Sequence, residues 1–531
     1  MRGPEGTFQQ DRLITAGHAG ACAPAWPSGE QRMSENGSWL CTVCGYIHEG
    51  ETAPDCCPIC GATSDLFEPH TVSAVPPPTP ATTHWRCLNC DYVHQGAAPP
   101  EVCPVCGAGC DKFEALPPLP ESALENRDAR RVIIVGAGVS GISAAEAVRK
   151  AAPDAKITVL SREPDLPYYR LNLTRYLAGE IEAAALPIHP ESWYRENHID
   201  LLLSAELQNI DPVAHHLQLR DHRELSYDRL IMATGAHPFV PPIPGVNREN
   251  VVTLRTLADA EALLRRIVEV VRCVVIGGGI LGLEAAAALA RRGARVTLVE
   301  GFGWLLPRQL NRSAGVELAR YVKKVGIELM TEVRIKQLDG DEQVREVVLE
   351  SGQTLPAEMV LVAAGVRSNT FLARLAKLDV NNGIVVDNYL QASAPDIYAV
   401  GDACEHAGIS YGTWAPAQFQ GTIAGMNATG NKVSFAGIPR SNLLKVLGVE
   451  LFSIGNVHPD DGSYQTYELR EQQRYAYLVF RDSRLVGAIL LGDTSLSAPL
   501  KKHIEQQSSC AELLTRFHTA DELLTGLASP G

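Results

Sequence analysis

Val132, Ile133, Ile134 and Val135 form an unbroken apolar run that ends in Gly136-x-Gly138-x-x-Gly141, and the ISAAEAVRK that follows has helical spacing. So short an apolar run reads as a strand buried on both faces, and the segment predicts strand, tight turn and helix. The order returns in residues 273–282, CVVIGGGILG, which continue into the helix-and-strand pattern GLEAAAALARRGARVTLVE. Further apolar strands run up to small-residue turns in KITVLSRE (156–163), YDRLIMATG (227–235), VLVAAG (360–365) and SAPDIYAVGDACE (393–405). Strands alternating with helices in this way predict an α/β chain with two parallel-sheet units.

The glycine spacing adds chemistry to the pattern. In a strand–turn–helix context the first two glycines let the backbone turn and approach a pyrophosphate. The third lets helix pack on strand, and the helix N-terminus offers free N–H groups. Gly136, Gly138 and Gly141 are thus one candidate dinucleotide cradle, and Gly277, Gly279 and Gly282 a second; a plain tight turn is the alternative at each. An acid after the second strand accepts hydrogen bonds from ribose hydroxyls. Glu163 is the candidate in the first unit, later than usual because Ser161 stands at the strand end. Glu300 is the candidate in the second, twenty-three residues after Gly277. It would repel a 2′-phosphate, and no Lys or Arg in residues 301–306 offers to bind one, so NADH is favoured over NADPH.

Ahead of these units lies a repeat at an offset of 46 residues, 39–68 against 85–114, which matches Trp39 with Trp85, Tyr46 with Tyr92, His48 with His94 and Phe67 with Phe113. Each copy carries C-x-x-C, twelve residues, C-x-x-C: Cys41, Cys44, Cys57 and Cys60, then Cys87, Cys90, Cys103 and Cys106. Facing C-x-x-C turns present four thiolates as a tetrahedron, which suits iron or zinc. By register, Cys56 aligns with Val102 and Cys110 with Ser64, so both are expected to be spare thiols. Asp91 replaces the Gly45 of the first copy, where a positive φ is tolerated less readily.

Composition narrows the field. At 531 residues roughly three to five domains are expected. A net charge of −14 and the lack of any Lys/Arg block exclude an electrostatic footprint for nucleic acid or an anionic membrane. No apolar stretch is long enough to span a bilayer. Ten of the fourteen cysteines fall between positions 41 and 110, eight of them at ligand spacing, which favours a reducing, cytoplasmic setting. Residues 1–35 read as Gly/Pro/Ser-rich coil with no apolar core, expected to be disordered, and Met33 reads as a second possible start. The Pro-rich stretches 72–83 and 116–122 are semi-rigid tethers.

Three resemblances follow. W-x-C-x-x-C-G-Y-x-H-x-G, then C-P-x-C-G and a closing Phe, resembles the rubredoxin-like domain of rubrerythrins. This implies a four-thiolate iron that carries one electron, with zinc as the alternative. Residues 130–460 resemble the flavoprotein reductases of the pyridine nucleotide-disulfide oxidoreductase superfamily. The resemblance implies FAD at Gly136, Gly138 and Gly141, with Thr234 and Gly235 in its site, Asp402 at the ribityl chain and Arg170 near the pyrophosphate or flavin. It further implies Trp414, Ala417 and Gln418 beneath the isoalloxazine, and Glu284 facing the nicotinamide. Residues 441–455 and 477–493 look like the small C-terminal domain of the nitrite-reductase and rubredoxin-reductase branch. The expected domains are metal modules at 36–70 and 84–115, linkers at 71–83 and 116–129, an FAD domain at 130–245 and 366–432, an NAD domain at 246–365, and a small α+β domain at 433–531.

A missing group directs the chemistry. The RLNLTRYL helix carries no thiol, and Cys273, Cys404 and Cys510 are isolated. A flavin here has no protein disulfide to reduce. The expectation is an oxidoreductase in which NADH reduces FAD and FAD reduces the iron centres of its own chain. Arg170 and Glu284 are placed at the reacting groups. A soluble redox protein or small molecule is the final acceptor, and a homodimer is a candidate assembly. The alternative is a flavoenzyme acting directly on oxygen or a quinone, with zinc-bearing interaction modules; a non-catalytic NADH sensor is a third.

Overall fold

The computed structural model describes residues 38–41, 47–49, 64, 67–70, 84–88, 92–104, 107–116, 131–438 and 441–528. Residues 1–35 and most of both tethers lie outside them, as do Asp91, Cys44, Cys56, Cys57, Cys60, Cys90 and Cys106.

Two five-stranded parallel sheets carry the chain. In the first the order is Ile397–Ala399, Arg229–Met232, Arg131–Val135, Lys156–Leu160 and Ile199–Leu202. In the second it is Val251–Val252, Met359–Val362, Arg272–Ile276, Arg295–Val299 and Glu328–Met330, the same arrangement in a second unit. After an exposed opening arginine, both central strands are apolar because both faces are covered: Val132, Ile133, Ile134, Val274 and Val275 are all buried. Each such side chain contributes about 1.5–3 kcal/mol relative to exposure, which locks these strands at the centre. A three-stranded antiparallel sheet is appended to each unit, at residues 207–226 and 335–356. Ala236–Pro238 pairs with Val366–Ser368 where the chain leaves the first unit and returns to it.

One helix contact positions the site. The Val139–Ala151 helix lies against the Trp414–Ala428 helix so closely that a Cβ on Gly421 would stand 2.2 Å from the Ser140 carbonyl oxygen. Small residues at this crossing bring Trp414, at the start of its helix, to the mouth of the first glycine loop.

The C-terminal domain is a five-stranded antiparallel sheet over residues 441–491, followed by helices Ser497–Glu505, Ala511–Arg516 and Ala520–Ala528. Strand alternation divides its side chains between two cores. Leu451, Ile489 and Leu491 join the core of the second parallel unit, whereas Phe452, Ala488 and Leu490 face the terminal helices.

The metal-module repeat is also a structural repeat. Ser38–Cys41 lies between Ile47–Glu49 and Phe67–His70, and His84–Cys87 between Val93–Gln95 and Phe113–Ala115. Trp39 pairs with His48 and Trp85 with His94; Cys41 pairs with Phe67 and Cys87 with Phe113. Cys110, expected to be a spare thiol, is instead disulfide-bonded. Among the described residues no helix is long and apolar enough to cross a membrane.

Candidate functional site

The two glycine loops are sterically the same device. Gly136 has φ 113° and Gly277 φ 110°, values that disfavour any side chain. A Cβ on Gly141 would meet the Gly136 carbonyl oxygen at 1.9 Å, and one on Gly282 the Gly277 carbonyl oxygen at 1.9 Å. In contrast, a Cβ on Gly138 or Gly279 would meet nothing within 4 Å, so the middle glycine of each loop borders open space in front of a helix N-terminus. This geometry fits a pyrophosphate at each loop.

A cavity of about 1570 Å³ opens from the first loop. That exceeds the few hundred to about 1,000 Å³ of ordinary ligand sites and has room for a dinucleotide. Its wall includes Gly136, Gly138, Glu163, Arg170, Thr234, Gly235, Asp402, Trp414 and Ala417. It continues without interruption to Ile280, Leu281 and Glu284 on the first turns of the second unit's helix. The indole Nε1 of Trp414 is buried with no hydrogen-bond partner in the protein, a donor to which a bound group can supply an acceptor. The residues present fit FAD.

Charged groups line the cavity as a connected set. Glu163 accepts from Arg170 Nη2 at 2.5 Å through Oε1 and from the Tyr168 hydroxyl at 2.5 Å through Oε2. Arg170 also donates to the Arg255 carbonyl oxygen, and Arg255 Nη2 reaches Asp402 Oδ2 at 3.0 Å. Burial, with the neighbouring Glu163 carboxylate, holds the Tyr168 hydroxyl well above its usual pKa, so it stays a donor. Each Glu163 oxygen thus has a protein partner. Arg255 was not singled out by the sequence, because nothing local to residue 255 announces a bridge to a loop at residue 402. Thr234 is fixed by exchange with Asn369: its hydroxyl donates to the Asn369 carbonyl oxygen at 2.9 Å, and Asn369 Nδ2 donates to its carbonyl oxygen at 2.7 Å.

In the second unit Glu300 is buried at the end of its strand. Its Oε2 accepts the Gly278 N–H at 2.6 Å and its Oε1 the Phe302 N–H at 2.8 Å. Glu284 stands at the cavity wall, where Thr174 Oγ1 donates to its Oε2 at 2.9 Å. Burial pushes its carboxyl up to about 7, opposed by the Thr174 hydrogen bond. Thr174 belongs to the short Leu173–Leu177 helix and is a further residue that sequence reasoning passed over.

Gln418, expected beneath the isoalloxazine, is not among the residues lining the cavity. Its amide grips the backbone of the second metal module: Oε1 accepts the Val93 N–H at 3.2 Å, and Nε2 donates to the Val93 carbonyl oxygen at 3.0 Å. Trp414, four residues earlier and one turn back, takes the cavity side.

Of the eight cysteines expected to be ligands, Cys87 and Cys103 are described with their side chains, both fully buried in one cluster with Phe113. Cys41 lies in its strand, and the others fall outside the described residues. One buried cysteine from each C-x-x-C of the second module, brought into a single cluster, fits a thiolate-bound metal. Cys273 and Cys404 are buried, and burial pushes both thiols up to about 12, which leaves them inert.

Comparison with known proteins agrees with this arrangement. Residues 130–421 match the pyridine nucleotide-disulphide oxidoreductase family, residues 441–508 the rubredoxin NAD+ reductase C-terminal domain, and residues 39–68 and 85–114 the rubrerythrin rubredoxin-like domain. A nitrite reductase [NAD(P)H] of Bacillus subtilis is 33% identical over 386 residues, 72% of this chain and 48% of that protein. The NADH-rubredoxin oxidoreductase of Clostridium acetobutylicum is 28% identical over 71% of this chain and 95% of its own length. Its kind is also represented among solved structures: NADH:rubredoxin oxidoreductase from Clostridium acetobutylicum superposes with a TM-score of 0.64 at 28% identity, covering 75% of this chain and 99% of that one. The chain spans about half the length of the Bacillus subtilis relative. With 130–421 accounting for more than half of its residues, the chain belongs to the pyridine nucleotide-disulphide oxidoreductase family.

Proposed function

We propose that this chain is an FAD-dependent NADH oxidoreductase whose electrons pass to rubredoxin-type iron centres in its own N-terminal modules, and from there to a soluble acceptor. The observation that carries the reading is the single cavity that joins the Gly138 loop to Glu284, with no thiol of the described residues on its wall. The relatives named for NADH and rubredoxin point the same way.

Gly136, Gly138 and Gly141 hold the pyrophosphate of FAD, and Asp402 takes the ribityl chain. A flavin bound there would supply the conversion between two-electron hydride chemistry and one-electron transfer. Gly277, Gly279 and Gly282 seat the pyrophosphate of NADH, and Glu300 fixes the adenosine ribose through its loop. Arg170, anchored by Glu163 and the Arg255 carbonyl oxygen, contributes a fixed positive charge beside the flavin. Glu284 and Thr174 wall off the nicotinamide side, where the protonated carboxyl can donate a hydrogen bond and the ionised one accept.

Cys41, Cys44, Cys57 and Cys60, with Cys87, Cys90, Cys103 and Cys106, hold the two metals. Removal of residues 1–116 tests the reading. NADH should still reduce the flavin, while turnover with a one-electron acceptor protein should fall by at least about tenfold, the equivalent of roughly 1.4 kcal/mol. Unchanged turnover would assign the chemistry to direct transfer from flavin and overturn the proposal.

A further inference from the structure

The second metal module does not hang free on its tether. Arg86 forms a bidentate ion pair with Glu505 of the C-terminal domain, Nη1 to Oε1 at 3.1 Å and Nη2 to Oε2 at 2.9 Å. Gln418 holds Val93 by both backbone groups. Asn172 Nδ2 donates to the Pro104 carbonyl oxygen at 3.4 Å, and the Tyr92 and Tyr169 hydroxyls are hydrogen-bonded to each other. Gly107 and Ala108, directly after Cys106, form part of the cavity wall itself. The described residues on either side of Cys106, Pro104 and then Gly107 and Ala108, are therefore turned towards the flavin unit.

These contacts come from two different elements of the flavin unit and from the C-terminal domain, and they meet on one face of the module. They also distinguish it from its twin. At the repeat offset of 46, Arg86 corresponds to Leu40, so the first module has no guanidinium to offer Glu505. An aromatic path follows the docked face. Trp414 lines the cavity, its ring centroid lies 5.3 Å from that of Tyr169, and Tyr92 beyond packs against the Cys87, Cys103 and Phe113 cluster.

We propose that the module of residues 84–116 is docked by Arg86, Val93 and Tyr92 as the immediate acceptor of flavin electrons, with Trp414, Tyr169 and Tyr92 as the route. The proposal deepens the function above and rests on it. Oxidation of one NADH yields NAD+, one proton and two electrons, and each ferric centre takes one electron to become ferrous. A single docked centre must turn over twice per NADH. It passes the first electron to a further one-electron carrier, the first module or a soluble redox protein, before it takes the second. The tether at residues 116–129 keeps the module at an effective concentration on the order of millimolar, so modest contacts are enough to hold it.

The test is made on full-length protein with two readouts, hydrogen exchange at the Val93 amide and the rate at which NADH bleaches the ferric-thiolate absorbance. Arg86→Glu, and independently Glu505→Arg, should expose Val93 to exchange. Each should slow bleaching by about tenfold or more, as expected for loss of a close interfacial charge pair. Reduction of the flavin band itself should keep its rate. Arg86 also donates to Glu114 of its own module at 2.6 Å, so combining Arg86→Glu with Glu505→Arg should restore a part of both protection and rate, which a merely unfolded module would not allow. Val93 protection that survives both single substitutions, or protection lost with the bleaching rate unchanged, overturns the proposal. Protection with zinc in the cysteine sites overturns the parent reading and the acceptor role with it, and leaves a docked structural module.

Discussion

In the first dinucleotide unit the acid that follows the second strand, Glu163, is held by the side chains of Arg170 and Tyr168, whereas in the second unit Glu300 is bound by the N–H groups of Gly278 and Phe302. Around these acids the two loops agree to within a few degrees of φ and a tenth of an ångström of Cβ clearance at Gly141 and Gly282. Steric demands on strand, turn and helix fix the cradle, and they are met identically. What differs is the partner of the acid. In the first unit that partner is a cation aimed into the cavity, suited to a flavin held permanently. In the second it is the backbone of the loop itself, with no cation of the described residues on the acid.

Substitutions can break this symmetry step by step. The largest effect is expected from Gly141→Ala, because a Cβ 1.9 Å from a carbonyl oxygen forces the helix off the strand. Overpacking of this kind costs about 1–3 kcal/mol or more. The protein should purify without flavin and melt earlier, as flavin absorbance and calorimetry would show; full flavin content would refute the cradle. Gly279→Ala comes next and should leave fold and flavin intact, since its Cβ meets nothing in the protein. It should raise the KM for NADH by roughly tenfold by obstructing the pyrophosphate. An unchanged KM would mean that the second loop binds no dinucleotide.

Glu300→Gln should act more mildly and on selectivity. Removal of the carboxylate charge should narrow the preference for NADH over NADPH, read as the ratio of kcat/KM values. A ratio that does not move would contradict the role given to the acid.

The smallest effect concerns Glu284. Its folded pKa, about 7, stands above the 4.5 of an ordinary glutamate. Folding therefore retains a proton that the unfolded chain has already lost, so the wild-type protein loses stability as pH rises from 4.5 through about 7 and levels off above. Glu284→Gln should remove that slope, and its melting temperature relative to wild type should climb across the same interval. A parallel pair of stability curves would place Glu284 in solvent instead.

Much of this was legible in the chain because it is local. Residues 131–141 and 272–282 contain their own strand, turn and helix, and both loops are found where the glycine spacing puts them. The 46-residue repeat likewise reappears as two three-stranded sheets in equivalent register. Gln418 shows where sequence reading stops. It sits on the right helix, beside Ala417 on the cavity wall, but which side of that turn faces the cavity depends on how Gly421 packs against Ser140, and Gln418 falls on the side that meets Val93. Arg255 and Glu505 gave no local sign at all, since an ion pair between residues 86 and 505 is a property of domain placement and not of spacing.

The most direct measurement is an anaerobic NADH titration of the intact protein followed by visible absorption, with metal content determined on the same sample. The account predicts iron in the four-cysteine sites, a ferric-thiolate band alongside the flavin bands, and bleaching of both as NADH is added. Zinc in place of iron, or a ferric band that persists once the flavin is fully reduced, would contradict it.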